Sequence, residues 1–127
     1  MSETMKILVI IGAGSFIGGV FRYLLSLFIH TKFVSVFPYG TLAVNLIGCF
    51  VIGALFALTE KTSLPSEWRL FLATGICGGF TTFSAFSLET FGLLRDGQIG
   101  YASVYVITSV ILGVFATFIG YSLFKLF

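Results

Sequence analysis

The sequence predicts an all-α membrane protein, a single domain over residues 1–127 with four transmembrane helices, the third broken in mid-membrane. Three observations predict it. Hydrophobic residues make up 57% of the 127 and charged residues only 9%, with a mean hydropathy of +1.09; soluble domains carry about a quarter charged residues. A chain this short cannot hide that much apolar surface in its own interior, so lipid must cover it. Next, twelve charged residues divide the chain into apolar runs of membrane-crossing length, roughly 20 residues each. Finally, glycines and hydroxyls recur at helical spacing, unlike the alternation of an outer-membrane barrel strand. The same composition excludes disorder, and a scattered net charge of +2 excludes a nucleic-acid partner.

Helix 1 is expected at about residues 5–30. Lys6 before an apolar run looks like the start of a signal peptide. No small-residue cleavage site follows, and Arg22-Tyr23-Leu24 comes instead, so the segment reads as a retained helix. Gly12-Ala-Gly14-Ser-Phe-Ile-Gly18 mimics a dinucleotide-binding glycine loop, but that site needs an acidic residue about 20 positions on and a parallel sheet. Thr31, Lys32 and Phe33 stand near that position. Helix 2 is expected at 38–59, after a loop from Lys32 to Phe37. A loop from Glu60 to Glu67, with Pro65 as breaker, precedes helix 3 at 68–94. Arg95-Asp96-Gly97-Gln98 is a tight reversal with Gly97 placed to end the helix, and helix 4 follows at 99–124.

Gly14 with Gly18, Gly113 with Thr117, and Ala116 with Gly120 are small-xxx-small pairs that let helices approach closely. They serve packing within the chain or between copies. Four helices enclose little interior for a water-free path, so a homo-oligomer is expected. Lys6, Lys61, Arg69 and Lys125 fall on one side of the membrane, Lys32 and Arg95 on the other. So weak a bias permits insertion in both orientations and an antiparallel dimer.

No nucleophile with a base, no carboxylate pair and no metal-ligand spacing is present, so no enzyme is expected. Cys49 and Cys77 fall inside spans, where thiols behave as small apolar groups; a disulfide is compatible with the sequence but nothing requires one. His30 reads as an interfacial imidazole. The informative segment is Gly75-Ile-Cys-Gly78-Gly79-Phe80-Thr81-Thr82-Phe83-Ser84-Ala85-Phe86-Ser87-Leu88-Glu89. Its glycines and threonines propagate a helix poorly and fall in mid-membrane, where freed backbone groups must be covered, line a polar cavity or bind an ion. Phe80, Phe83 and Phe86 recur every third residue beside Thr81, Ser84 and Ser87. Such a stripe is either packing or a lane in which positive ring edges and hydroxyl donors attract a small anion. Asn45, four residues after Thr41 on one face of helix 2, needs hydrogen-bond partners at that depth. Tyr105, Ser109 and Thr117 share a face of helix 4, with Thr108 nearby; their hydroxyls either line the lane or bond back to their own helix.

Gly-Thr-Leu-Ala-Val-Asn-Leu-Ile-Gly at 40–48 and Gly-Gly-Phe-Thr-Thr-Phe-Ser-Ala-Phe-Ser-Leu-Glu at 78–89, with Gly18-x-x-x-Arg22, resemble the Fluc (CrcB-type) fluoride channels over essentially the whole chain. The resemblance implies an antiparallel, dual-topology homodimer with two fluoride pores in the inner (plasma) membrane. It makes Phe83 and Phe86 a phenylalanine box and Asn45 the pore asparagine, with Thr41 on its face. Ser84, Tyr105, Ser109 and Thr117 become a polar track, and Arg22 a vestibule residue that attracts anions. It also implies a structural sodium held by the carbonyls of Gly78 and Thr81, which a twofold axis doubles to four. Glu89 matches the family's acidic position without a role following from its charge.

Passive conduction would expel fluoride that enters as hydrogen fluoride and dissociates in a more alkaline cytoplasm, driven by the inside-negative potential. Two other readings compete. Small multidrug-resistance-type exporters are also four-helix, dual-topology dimers, but resemble proton-coupled exchangers with a carboxylate in helix 1, where this chain has none past Glu3. A non-transporting assembly subunit is the third.

Overall fold

The computed structural model describes residues 2–127. α1 spans Glu3–Lys32 and α2 spans Tyr39–Lys61. The third span, Ser66–Arg95, is composite: one turn of α-helix, α3, at Ser66–Arg69; a π-helical stretch at Leu70–Cys77; another turn, α4, at Gly78–Phe80; and α5 at Phe83–Arg95. α6 spans Ile99–Leu126. All four spans are long and apolar enough to cross a membrane, and the chain is a multi-pass membrane protein. The glycines at 75, 78 and 79 do not end the helix, as their propensities suggested. They stay helical, and the break falls two residues later, at the extended backbone of Thr81 and Thr82.

Local chemistry sets the ends. The Ser2 side chain caps α1 by accepting from the Met5 N–H at 3.1 Å. At the α5–α6 reversal, the Gln98 N–H reaches the Leu93 carbonyl at 2.7 Å and the Gly97 N–H reaches that of Leu94 at 3.1 Å. These are the two bonds of a Schellman cap, which needs the left-handed φ of +78° that Gly97 supplies.

Two seams hold the spans together. α1 lies on the π-helical stretch, and α2 lies along α6. The small-residue pairs build both, so they are spent within the chain. A Cβ on Gly14 would sit 2.8 Å from the Gly75 Cα, and one on Gly75 would sit 2.9 Å from the Gly14 Cα. On the other seam, a Cβ on Gly53 would fall on the Thr117 carbonyl and one on Gly120 on that of Phe50. Cys49 and Cys77 are free thiols. Phe37 lies in the loop between α1 and α2, as expected, but its side chain is buried with Leu93, Ala102 and Tyr105. The outward faces stay apolar: Phe16, Val114 and Phe118 are each at least two-thirds exposed, an area that only lipid or another protein can cover.

At the seams the space is already filled by backbone, which cannot rotate away. Gly53→Val should therefore destabilise the protein by about 1–3 kcal/mol or more, whereas Gly12→Ala, with nothing within 4 Å of the new Cβ, should be neutral; thermal unfolding in detergent compares them.

Candidate functional site

The break in the third span frees backbone groups in an apolar setting, and the chain gives several of them new partners. In a continuous helix the Thr82 N–H would bond the Gly78 carbonyl. Here it donates to Asn45 Oδ1 at 2.9 Å, while Asn45 Nδ2 donates to the Thr82 carbonyl at 3.0 Å. One carboxamide thus covers both polar groups of one residue. Likewise the Ala85 N–H, the helical partner of the Thr81 carbonyl, bonds Thr82 Oγ1 at 3.1 Å, because Thr82 caps α5. The two redirections release the carbonyls of Gly78 and Thr81 from the helical ladder. The Thr81 side chain is itself tied down, donating to the Cys77 carbonyl at 2.9 Å.

Beside the break lies a cavity of about 470 Å³. Asn45, Gly48 and Cys49 line it from α2. The third span contributes Cys77, Gly78, Thr81, Thr82, Phe83 and Phe86, and α6 contributes Ser109. No charged side chain lines it. Six of the residues singled out in the sequence therefore meet there: Asn45, Gly78, Thr81, Phe83, Phe86 and Ser109. Phe83 is 78% exposed, so its ring stands at an open side of the cavity. Phe80, the first member of the phenylalanine stripe, is not among the lining residues.

From the cavity a ladder of rings runs through the protein. Phe83 lies 5.7 Å from Phe86, Phe86 lies 5.0 Å from Tyr105, and Tyr105 meets Phe37 edge-on at 5.6 Å. Glu89 flanks the ladder, accepting from the Thr41 hydroxyl at 3.1 Å and from that of Tyr105 at 3.4 Å. At the far end is a second cavity of about 270 Å³, lined by Phe37, His30, Ser35, Glu89 and Asp96 among others. Thr41 and Tyr105 thus belong to the wall between the two cavities. Sequence reasoning missed two parts of this arrangement. Phe37 carries no signal beyond being aromatic in a short loop. The partners of Glu89 follow only once α2, α5 and α6 are packed together.

Other expected site residues lie elsewhere. Thr117 bonds its own helix, donating to the Gly113 carbonyl at 3.1 Å, and faces the α2 seam. Ser84 is exposed, 3.4 Å from the Thr82 hydroxyl, and lines neither cavity. Thr108 also bonds back, to the Val104 carbonyl at 2.7 Å. Arg22 is half-buried and points its guanidinium at the break, with Nε 3.2 Å from the Gly79 carbonyl.

Residues 9–121 match the family described as CrcB-like protein, Camphor Resistance (CrcB). The chain is 48% identical to the fluoride-specific ion channel FluC of Chlorobium phaeobacteroides over 99% of its length and 98% of that protein's. It is 49% identical to the FluC of Chlorobaculum tepidum, over 96% of this chain and 97% of the relative. With the FluC of Thermus thermophilus it shares 41% identity, over 94% and 95%. The matched region takes in α2, the break, the ladder and nearly all of α6, and on that footing the chain belongs to the CrcB/FluC family of fluoride-specific ion channels.

Proposed function

We infer that the protein is a fluoride-selective channel that passively exports cytoplasmic fluoride across the inner membrane and so relieves its toxicity. The observation that carries this reading is the cavity at the break, where Asn45, Ser109, Phe83 and Phe86 meet without a charged neighbour. Fluoride is small, strongly hydrated and a good acceptor. A lane of neutral donors and positive ring edges attracts it without holding it so tightly that it fails to leave. The second NH of the Asn45 amide, beyond the one given to Thr82, is a donor available to such an ion. The ladder from Phe83 to Phe37, with Thr41 and Tyr105 at its side, is the route we assign between the two cavities. Ser84 and Thr117 join it only if a partner or a rearrangement brings them there.

The working unit is proposed to be an antiparallel homodimer with two pores. Its support is the exposed apolar outer surface, the open side of the cavity at Phe83, and the thin charge bias between the two ends. A structural sodium at the twofold axis is part of the proposal. The carbonyls of Gly78 and Thr81, released as described above, fit it: they are hard, neutral oxygen donors of the kind that unwound membrane helices offer to sodium. Bound there, the ion would hold the two breaks together electrostatically. A proton-coupled exporter has less support, because the only acidic residue of α1 is Glu3 in its first turn and the relatives belong to another family.

In liposomes the purified protein should pass fluoride far faster than chloride, measured with ion-selective electrodes and no proton gradient. Replacing sodium by a large organic cation should lower that flux in the same vesicles. Equal fluxes of the two halides would refute the channel, and a requirement for a pH gradient would favour the exporter.

Phe83→Ile and Phe86→Ile keep bulk and apolarity but remove the ring quadrupole. Fluoride flux is expected to drop by about tenfold or more while the dimer stays intact by size-exclusion chromatography. Normal flux would reduce both rings to packing.

Orientation is read by thiol labelling. With Cys49 and Cys77 replaced first, Ser63→Cys should react partly from each side of the native membrane. Reaction from one side alone would rule out dual topology.

A further inference from the structure

We propose that Arg22 is a positioning residue for the break: its bond to the Gly79 carbonyl holds the turn Gly78–Phe80 so that Gly78 stays on the cavity wall. The contacts argue against a free electrostatic attractor. Arg22 lines neither cavity, and its Nε–H is committed to Gly79 at 3.2 Å. In an uninterrupted helix the Gly79 carbonyl would accept from the Phe83 N–H; the break takes that donor away, and the guanidinium stands in for it.

The rest of α1 is built for the same contact. Ser15, Gly18 and Arg22 lie three and then four residues apart, on one helical face. A Cβ on Gly79 would sit 2.6 Å from the Ser15 carbonyl oxygen, and one on Gly18 would sit 2.9 Å from the Phe80 nitrogen. α1 therefore rests backbone to backbone on this turn, and Arg22 ties down its end. Asn45 braces the following residue, Thr82, from α2. The released Gly78 carbonyl belongs to the residue immediately before the one that Arg22 braces. Arginine suits the task because its planar fork directs an N–H, whereas lysine offers a mobile point charge. Any effect of Arg22 on cation binding rests on the sodium reading given above; the effect on the break does not.

The test compares full-length Arg22→Met and Arg22→Lys with the parent protein in lipid nanodiscs, by hydrogen–deuterium exchange and by fluoride flux. A charged hydrogen bond lost at one turn should speed amide exchange about tenfold in the peptide covering residues 78–83, with α6 unchanged. Arg22→Lys, which keeps the charge, should protect that peptide poorly and restore little flux. Unchanged exchange at 78–83 in Arg22→Met overturns the proposal. So does full flux in Arg22→Lys without restored protection, the result expected of simple anion attraction. If Arg22→Met does not fold, the lysine variant is read at the same peptide by the same criterion. Sodium titration of flux separates the two ideas: a positioning role predicts a need for about tenfold more sodium in the variants. A parent protein indifferent to sodium removes the cation reading, while the exchange data still decide the role of Arg22.

Discussion

The pair of hydrogen bonds between Asn45 and Thr82 is the constraint around which the rest is arranged. A helix interrupted inside a membrane exposes donors and acceptors that lipid cannot satisfy, at several kcal/mol for each one left bare. A carboxamide presents one donor and one acceptor side by side, matching the N–H and C=O of one extended residue. Because Asn45 takes both, α2 is fixed in register against the third span. Gly48, nearly one turn on, then has to be small, since a Cβ there would lie 3.5 Å from the Phe80 ring and overlap the Thr81 methyl. The glycine seam with α6 follows further along the same helix.

The break also sorts backbone groups by role. Some are paired locally, as at Ala85, and some across helices, as at Thr82 and Gly79. Those of Gly78 and Thr81 are left without their helical partners. The cavity beside them is mainly apolar, and the polarity it has comes from backbone, amide and hydroxyl rather than from charge. The Glu89 carboxylate flanks the ladder, and its two oxygens are already engaged by the hydroxyls of Thr41 and Tyr105. On the proposed route, a lane with no fixed counter-charge would bind an anion weakly and let it go, as rapid permeation requires.

Much of this was legible in the sequence, for reasons that can be named. Charges mark where spans end, so each helix boundary falls within two residues of expectation. Gly97 announced its cap because only a left-handed residue closes that turn. The convergence of Asn45 and Ser109 could be anticipated because polar residues at membrane depth have few places to go, whereas that of Phe83 and Phe86 was implied only by the family resemblance. Other features turn on tertiary packing. Helical periodicity puts Thr117 on the same face as Tyr105 and Ser109, yet that stretch of the face is used against Gly53. Phe37 looks like a loop residue because sequence does not say that the loop folds inward. The glycines at 75, 78 and 79 looked like the break itself; α1 needs them for close approach, and the extended backbone is displaced to the threonines.

α5 has 13 residues, about 20 Å of helix at the standard rise, too little to cross the hydrocarbon core of roughly 30 Å unaided. The Gly97 cap joins it to α6, whose 28 residues are ample. α5 therefore crosses only together with the first half of its own span, the π-helical stretch and α4 that precede it. Asn45 precedes Thr82 by 37 residues in the chain, so its amide finds its partner in a later span. The polar groups of the two halves of the chain thus complete one another, Asn45 for Thr82 and Thr82 for Asn45, only once both halves are in the membrane.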